Sequence, residues 1–107
     1  MAQRKGDKKE MFQALHPDPQ KKGMRVTKAT YEIYRDIMLQ VIPDDEEGIL
    51  FMELSAAIEP HVPAEVLSNS SVGWWTTTVK LDLEARQLIE RVPGRGRQRV
   101  RKRSDDR

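Results

Sequence analysis

The sequence predicts a small, mainly α domain carrying a small antiparallel β-hairpin: three helices and a sheet of two or three strands. Three observations predict it. Apolar residues recur at helical spacing in three separate runs between residues 28 and 86. Beyond them, Leu88–Val92 and Arg97–Arg103 read as two strands flanking Pro93-Gly94-Arg95-Gly96, the composition of a hairpin turn. A two-stranded hairpin is marginal alone, so it must pack on helices or gain a third strand, which Ile49-Leu50 can supply.

The elements follow in order. Met11 to Leu15 predicts a short turn packed on the domain, and His16-Pro17-Asp18-Pro19 then breaks any helix, since each proline removes a donor and restricts its predecessor. Lys21-Lys22-Gly23 reads as a basic loop. Thr27 offers a hydroxyl N-cap to a first helix over 28–41. Ala29, Ile33, Ile37 and Val41 form its stripe, with Tyr34 and Met38 widening it. Pro43 stops that helix, and Asp44-Asp45-Glu46-Glu47-Gly48 makes an acidic turn. A second helix is predicted over 52–59, burying Phe51, Leu54, Ala57 and Ile58, and ended by Pro60 and Pro63. A connector follows, with a turn at Glu65-Val66-Leu67 and candidate caps at 68–71. The third helix runs over 72–86, with Val72, Trp75, Val79 and Leu83 inward and Gly73, Thr76, Thr77, Lys80 and Glu84 outward.

Length and composition bound the rest. A chain of 107 residues has room for one core. A single domain is expected over 11–103, between a disordered basic tail at 1–10 and a disordered end at 104–107. The absence of cysteine excludes disulfides, thiolate metal sites and cysteine nucleophiles. No apolar run reaches the roughly 18 residues of a membrane span, and the charged first ten residues lead into no apolar stretch, so neither membrane nor secretory signal is expected. The expectation is a cytoplasmic protein. His16 and His61 stand far apart with no triad spacing. The acidic turn lacks the alternating oxygens of a calcium loop, and no glycine loop suited to phosphate is present. The sequence therefore predicts no enzyme, cofactor or metal.

Charge is distributed unevenly. Residues 1–28 hold eight Lys/Arg against three Asp/Glu, and residues 91–107 eight against two. Residues 29–66 hold one arginine against nine acids. A polyanion would be attracted to the ends and repelled by the middle.

The run Val79-Lys80-Leu81-Asp82-Leu83-Glu84-Ala85-Arg86-Gln87-Leu88-Ile89-Glu90-Arg91 resembles the third helix and first wing strand of winged-helix proteins. The chain over about 17–103 resembles a family of short uncharacterised bacterial winged-helix proteins. Lys22-Gly23 before Arg25-Val26, Tyr31, and Trp74-Trp75 leading into Thr78-Val79 carry that likeness. It implies the winged-helix fold, a helix-turn-helix variant, and no defined activity. Two departures stand out. Gln87 occupies the place usual for glycine, where a left-handed backbone costs roughly 1 kcal/mol, which predicts a different helix end. The connector from Pro60 to Ser71 far exceeds the turn of about 3–4 residues in a DNA-reading helix-turn-helix, which argues against docking the third helix in a major groove.

The candidate contacts follow from the charge pattern. Arg97, Arg99, Arg101 and Arg103 alternate, so a strand would set all four on one face, with Arg95 in the turn. Such a row suits successive phosphates, with the basic N-terminal arm assisting. Thr76, Thr77 and Lys80 are predicted at the outward N-terminal part of the third helix, where phosphate contacts are made. The leading reading is nucleic acid, double-stranded DNA by preference, as partner. The competing reading makes Trp74 the contact for a protein partner or a second copy, with the arginines as solubilising charge.

Overall fold

The computed structural model describes residues 10–104. Both expected disordered segments, 1–10 and 104–107, fall outside that range except for Glu10 and Ser104. The described chain combines helices with two small antiparallel sheets. Strands β1 (Met11–Gln13) and β2 (Arg25–Thr27) pair with Phe12 opposite Val26. Helix α1 spans Lys28–Val41, strand β3 Ile49–Leu50 and helix α2 Phe51–Ile58. A 3-10 turn at Glu59–His61 and the one-turn helix α3 (Ala64–Leu67) fill the connector. Helix α4 covers Val72–Ala85, and β4 (Ile89–Arg91) and β5 (Arg99–Lys102) close the chain. The second sheet has the order β3-β5-β4, so Ile49-Leu50 does join the hairpin as its third strand.

One core serves all of these elements. Tyr31, Tyr34 and Met38 of α1 meet Leu54 and Ile58 of α2 and Trp75, Val79 and Leu83 of α4. Ile89 and Val100 close it from the sheet side. Tyr34 stacks on Trp75 with ring centroids 5.4 Å apart. Helix α4 is central, packing against both α1 and α2. A helix covered on two sides buries polar positions along with apolar ones, and α4 buries Thr76, Thr78, Lys80 and Asp82.

Several expectations are corrected here. Met11 to Gln13 is a strand rather than a turn, because Arg25–Thr27 supplies a partner that no local pattern announces. Gly23 lets that hairpin close: a Cβ there would stand 2.0 Å from the Ala14 carbonyl oxygen. Thr27 precedes α1 but makes no side-chain cap bond, since it is the last residue of β2. The buried face of α1 is carried by Tyr31, Tyr34, Ile37 and Met38, and Ala29 is exposed. Ser71 does cap α4, its hydroxyl accepting from the Trp74 amide at 3.2 Å. At the other end, Gln87 adopts the left-handed backbone after all, with φ 64°. The Gln87 and Leu88 amides reach back to the Glu84 and Leu83 carbonyls, each at 3.0 Å, the paired bonding of a Schellman cap.

Candidate nucleic-acid interface

Strands β4 and β5 are joined by a loop closed at its base by the Val92 amide on the Arg99 carbonyl, 2.9 Å away. Pro93 to Arg97 are all exposed. Gly94 and Gly96 bracket Arg95 with φ values of 132° and 95°, conformations that side-chain-bearing residues rarely adopt. The loop curves around a concavity lined by Arg91, Arg95, Arg97 and Arg99, together with Gln98 and Leu50. Among the described residues, no carboxylate pairs with Arg95, Arg97, Arg99 or Arg103. Arg97 instead donates to the sulfur of Met52 at the start of α2, 3.4 Å away.

The predicted arginine row is interrupted. Val100 is fully buried and Arg99 and Arg101 lie on the opposite face of β5, as alternation requires. Arg101 is already committed, however. Its Nε donates to Glu90 Oε2 at 2.6 Å and its Nη1 to the Glu46 carbonyl at 3.1 Å. Arg97 precedes the regular strand rather than opening it. Three of the uncommitted arginines, Arg95, Arg97 and Arg99, therefore gather at the loop and its junction with β5.

Helix α4 departs further from expectation. Thr77 is exposed, but Thr76 and Lys80 are buried at 1 % and 2 % exposure, so neither is an outward contact. The Lys80 ammonium lies 3.2 Å from Glu84 and 4.9 Å from the Phe51 ring centroid. Burial pulls its pKa below the ordinary lysine value, with Glu84 opposing that shift. Glu84 also receives Arg91 at 3.3 Å. One carboxylate is thus shared by two cations, and burial keeps the Lys80 ammonium away from a partner.

Asp82 is the polar residue that sequence reasoning undervalued. It is fully buried and accepts from the Leu15 amide at 2.8 Å, from Arg86 Nε at 2.9 Å and from the Tyr31 hydroxyl. Phe12 stacks on Tyr31 with centroids 4.2 Å apart, and Arg86 lies over the Phe12 ring. Desolvation first, and the Asp82 bond next, push the Tyr31 phenol well above its ordinary value. The signal was present in the spacing. Positions 75, 79 and 82 fall on one helical face, so Asp82 shares the face of Trp75 and Val79. The two α4 carboxylates that would repel a polyanion are therefore both spent inside the protein.

Trp74 is 43 % exposed, edge-on to Trp75 with centroids 5.2 Å apart. Lys21, Lys22 and Arg25 are exposed near the first hairpin. The rest of the basic arm, residues 1–9, lies outside the described residues. Among the described residues, no group of three or more His, Cys, Asp or Glu side chains is placed to hold a metal, and no helix is long and apolar enough to cross a membrane.

Residues 11–100 match a family of unknown function, DUF6958. Neither the curated proteins nor the solved structures give a match.

Proposed function

Because this chain belongs to the DUF6958 family, whose function is unknown, its activity has to be read from its own surface, and we propose that it is a winged-helix protein that binds double-stranded DNA through its wing. Two features support the fold assignment. The order α1-β3-α2-α4-β4-β5 and the sheet order β3-β5-β4 are those of a winged helix, with the β1–β2 hairpin and α3 as additions. The β4–β5 loop is then the wing.

The observation that carries the function is the set of three arginines, Arg95, Arg97 and Arg99, gathered at the wing with no carboxylate partner among the described residues. Planar guanidiniums of that kind are suited to phosphate oxygens. The exposed part of α4 offers Gly73, Trp74 and Thr77 and no cation, which favours backbone contact over base reading. About three phosphate contacts give a log–log salt slope of about −2.7, at about −0.9 each. Fluorescence anisotropy with a DNA duplex at rising salt tests this, beside a variant with Arg95, Arg97 and Arg99 changed to alanine. Binding by the wild type and loss by the folded variant support the proposal. A wild type that fails to bind at low salt refutes it.

The exposed Trp74 favours a second reading, a contact for a protein partner or a second copy of the chain. An interface built on Trp74 persists at high salt and is weakened by Trp74→Ala, whereas phosphate binding is released.

A further inference from the structure

We propose that the wing loop is a seat for a phosphomonoester dianion, so that it captures a terminal or free phosphate group in preference to the in-chain phosphodiesters of a duplex. The inference rests in part on the nucleic-acid reading, since the same arginines serve both, but it concerns a different chemical group.

The argument begins with the backbone. Between Val92 and Arg99, the loop makes a single backbone hydrogen bond among the described residues, in which the Gln98 carbonyl accepts from the Phe51 amide. The amides of Gly94, Arg95, Gly96, Arg97 and Gln98 donate to no described residue. Two positive-φ glycines alternate with ordinary residues along this stretch. Turn conformations of this kind, open only to glycine, can leave successive N–H groups free to line an anion-binding concavity. Here the concavity is also lined by four arginines, Arg91, Arg95, Arg97 and Arg99.

Charge then decides which phosphate fits. Arg91 is shared with Glu84, which leaves three uncompensated cations around one hollow. A phosphodiester brings one negative charge, while a monoester brings about −1.5 to −2 at pH 7 and three acceptor oxygens. Three cationic residues lining one hollow favour the second over the first, because attraction scales with the product of the charges. A row of arginines spread along a strand would match successive diesters; arginines that line one hollow match a single, more highly charged group. The shared chemistry is the phosphomonoester, whether it ends a nucleic-acid strand or belongs to a small phosphate compound.

The experiment uses the full chain in a phosphate-free buffer. Two duplexes of one sequence, with 5′-phosphates or with 5′-hydroxyls, are compared by anisotropy. In parallel, inorganic phosphate is titrated while the Gly94 and Gly96 amides are followed by NMR, with chloride as the ionic-strength control. Both measurements are repeated on Arg97→Ala, whose side chain projects from an exposed loop and whose fold is checked by circular dichroism. The expected result is at least tenfold tighter binding of the 5′-phosphate duplex, shrinking to within about twofold in the variant. Preference for the 5′-phosphate identifies a strand end as the ligand. Saturable amide shifts with phosphate, without discrimination between duplexes, identify a small phosphate compound. Equal affinity for both duplexes with no saturable shift overturns this proposal and leaves duplex binding intact. No duplex binding and no shift overturns both.

Discussion

Tyr31 and Asp82, 51 positions apart in sequence, are joined by a hydrogen bond from the buried phenol to a fully buried carboxylate. That bond ties α1 to α4. Through the Leu15 amide the same carboxylate holds the chain just beyond β1. Removing Asp82 leaves a guanidinium, a phenol and an amide without their acceptor. Asp82→Ala is expected to cost about 3–5 kcal/mol, since it deletes three hydrogen bonds to one charged acceptor and strands a buried phenol. Tyr31→Phe is expected to cost about 1.5–3 kcal/mol, the range for a bond to a charged group. Denaturant unfolding measures both, and hydrogen exchange should show residues 11–15 losing protection in Asp82→Ala before the core does.

The same bond sets an alkaline limit. The folded state holds Tyr31 protonated above the ordinary phenol range, because burial and Asp82 both disfavour phenolate. A raised folded-state pKa contributes stability that is fully present below the unfolded value of about 10 and is lost as pH rises through the folded value. In Tyr34→Phe, Tyr31 is the remaining tyrosine. Its ultraviolet ionisation should lag behind a model phenol and coincide with unfolding. Titration near pH 10 with the fold intact would contradict the Tyr31–Asp82 bond.

Gln87 carries the backbone strain that glycine would relieve. Its φ of 64° is left-handed, and the cost for a residue with a Cβ is about 1–2 kcal/mol. Gln87→Gly is expected to raise stability by about 0.5–1 kcal/mol, because glycine's greater freedom in the unfolded chain returns part of the gain. Thermal or denaturant unfolding decides it.

Two arginines of the hairpin, Arg97 in the loop and Arg101 in β5, should part company on mutation. Arg97→Ala is expected to remove about 0.9 from the magnitude of the DNA salt slope while leaving the unfolding midpoint nearly unchanged. Arg101→Ala breaks the Glu90 pair and the bond to the Glu46 carbonyl. It should lower stability by about 1–2 kcal/mol and leave the slope alone. Reversal of the two effects would move the interface from the loop to the strand face.

Lys80 gives a matching control on α4. Lys80→Met removes a buried ammonium from Glu84 and from the Phe51 ring, while Arg91 still offsets Glu84. The expected change is in stability alone, with DNA affinity and its salt dependence unaltered. A weakened salt slope would return Lys80 to the interface.

The elements that were legible in sequence are those with a strong local pattern. The bounds of α1 at Lys28 and Val41, the strand at Ile49-Leu50 and the hairpin around Pro93–Gly96 all follow from periodicity and turn chemistry. The β1–β2 pair was not legible, because two three-residue strands separated by a proline-rich stretch carry no period to detect. Nor was the orientation of α4's polar residues. The inward stripe of Val72, Trp75, Val79 and Leu83 leaves Thr76 and Lys80 off it, and the rule that such polar positions face solvent fails for a helix enclosed by two neighbours. For the candidate site, the arginine row was visible, but its division was not. Arg101 is drawn into the protein by Glu90 and Glu46, partners 11 and 55 residues away.

The internal neutralisation of Glu84 and Asp82 leaves α4 with no outward cation, and three of the uncommitted arginines gather at one loop and its junction with β5. A body held at one such point is a pivot. It can swing about its anchor while remaining attached, so a single copy would have no preferred heading along a symmetric duplex. Direction, if this protein confers any, must come from a second foothold elsewhere on its surface.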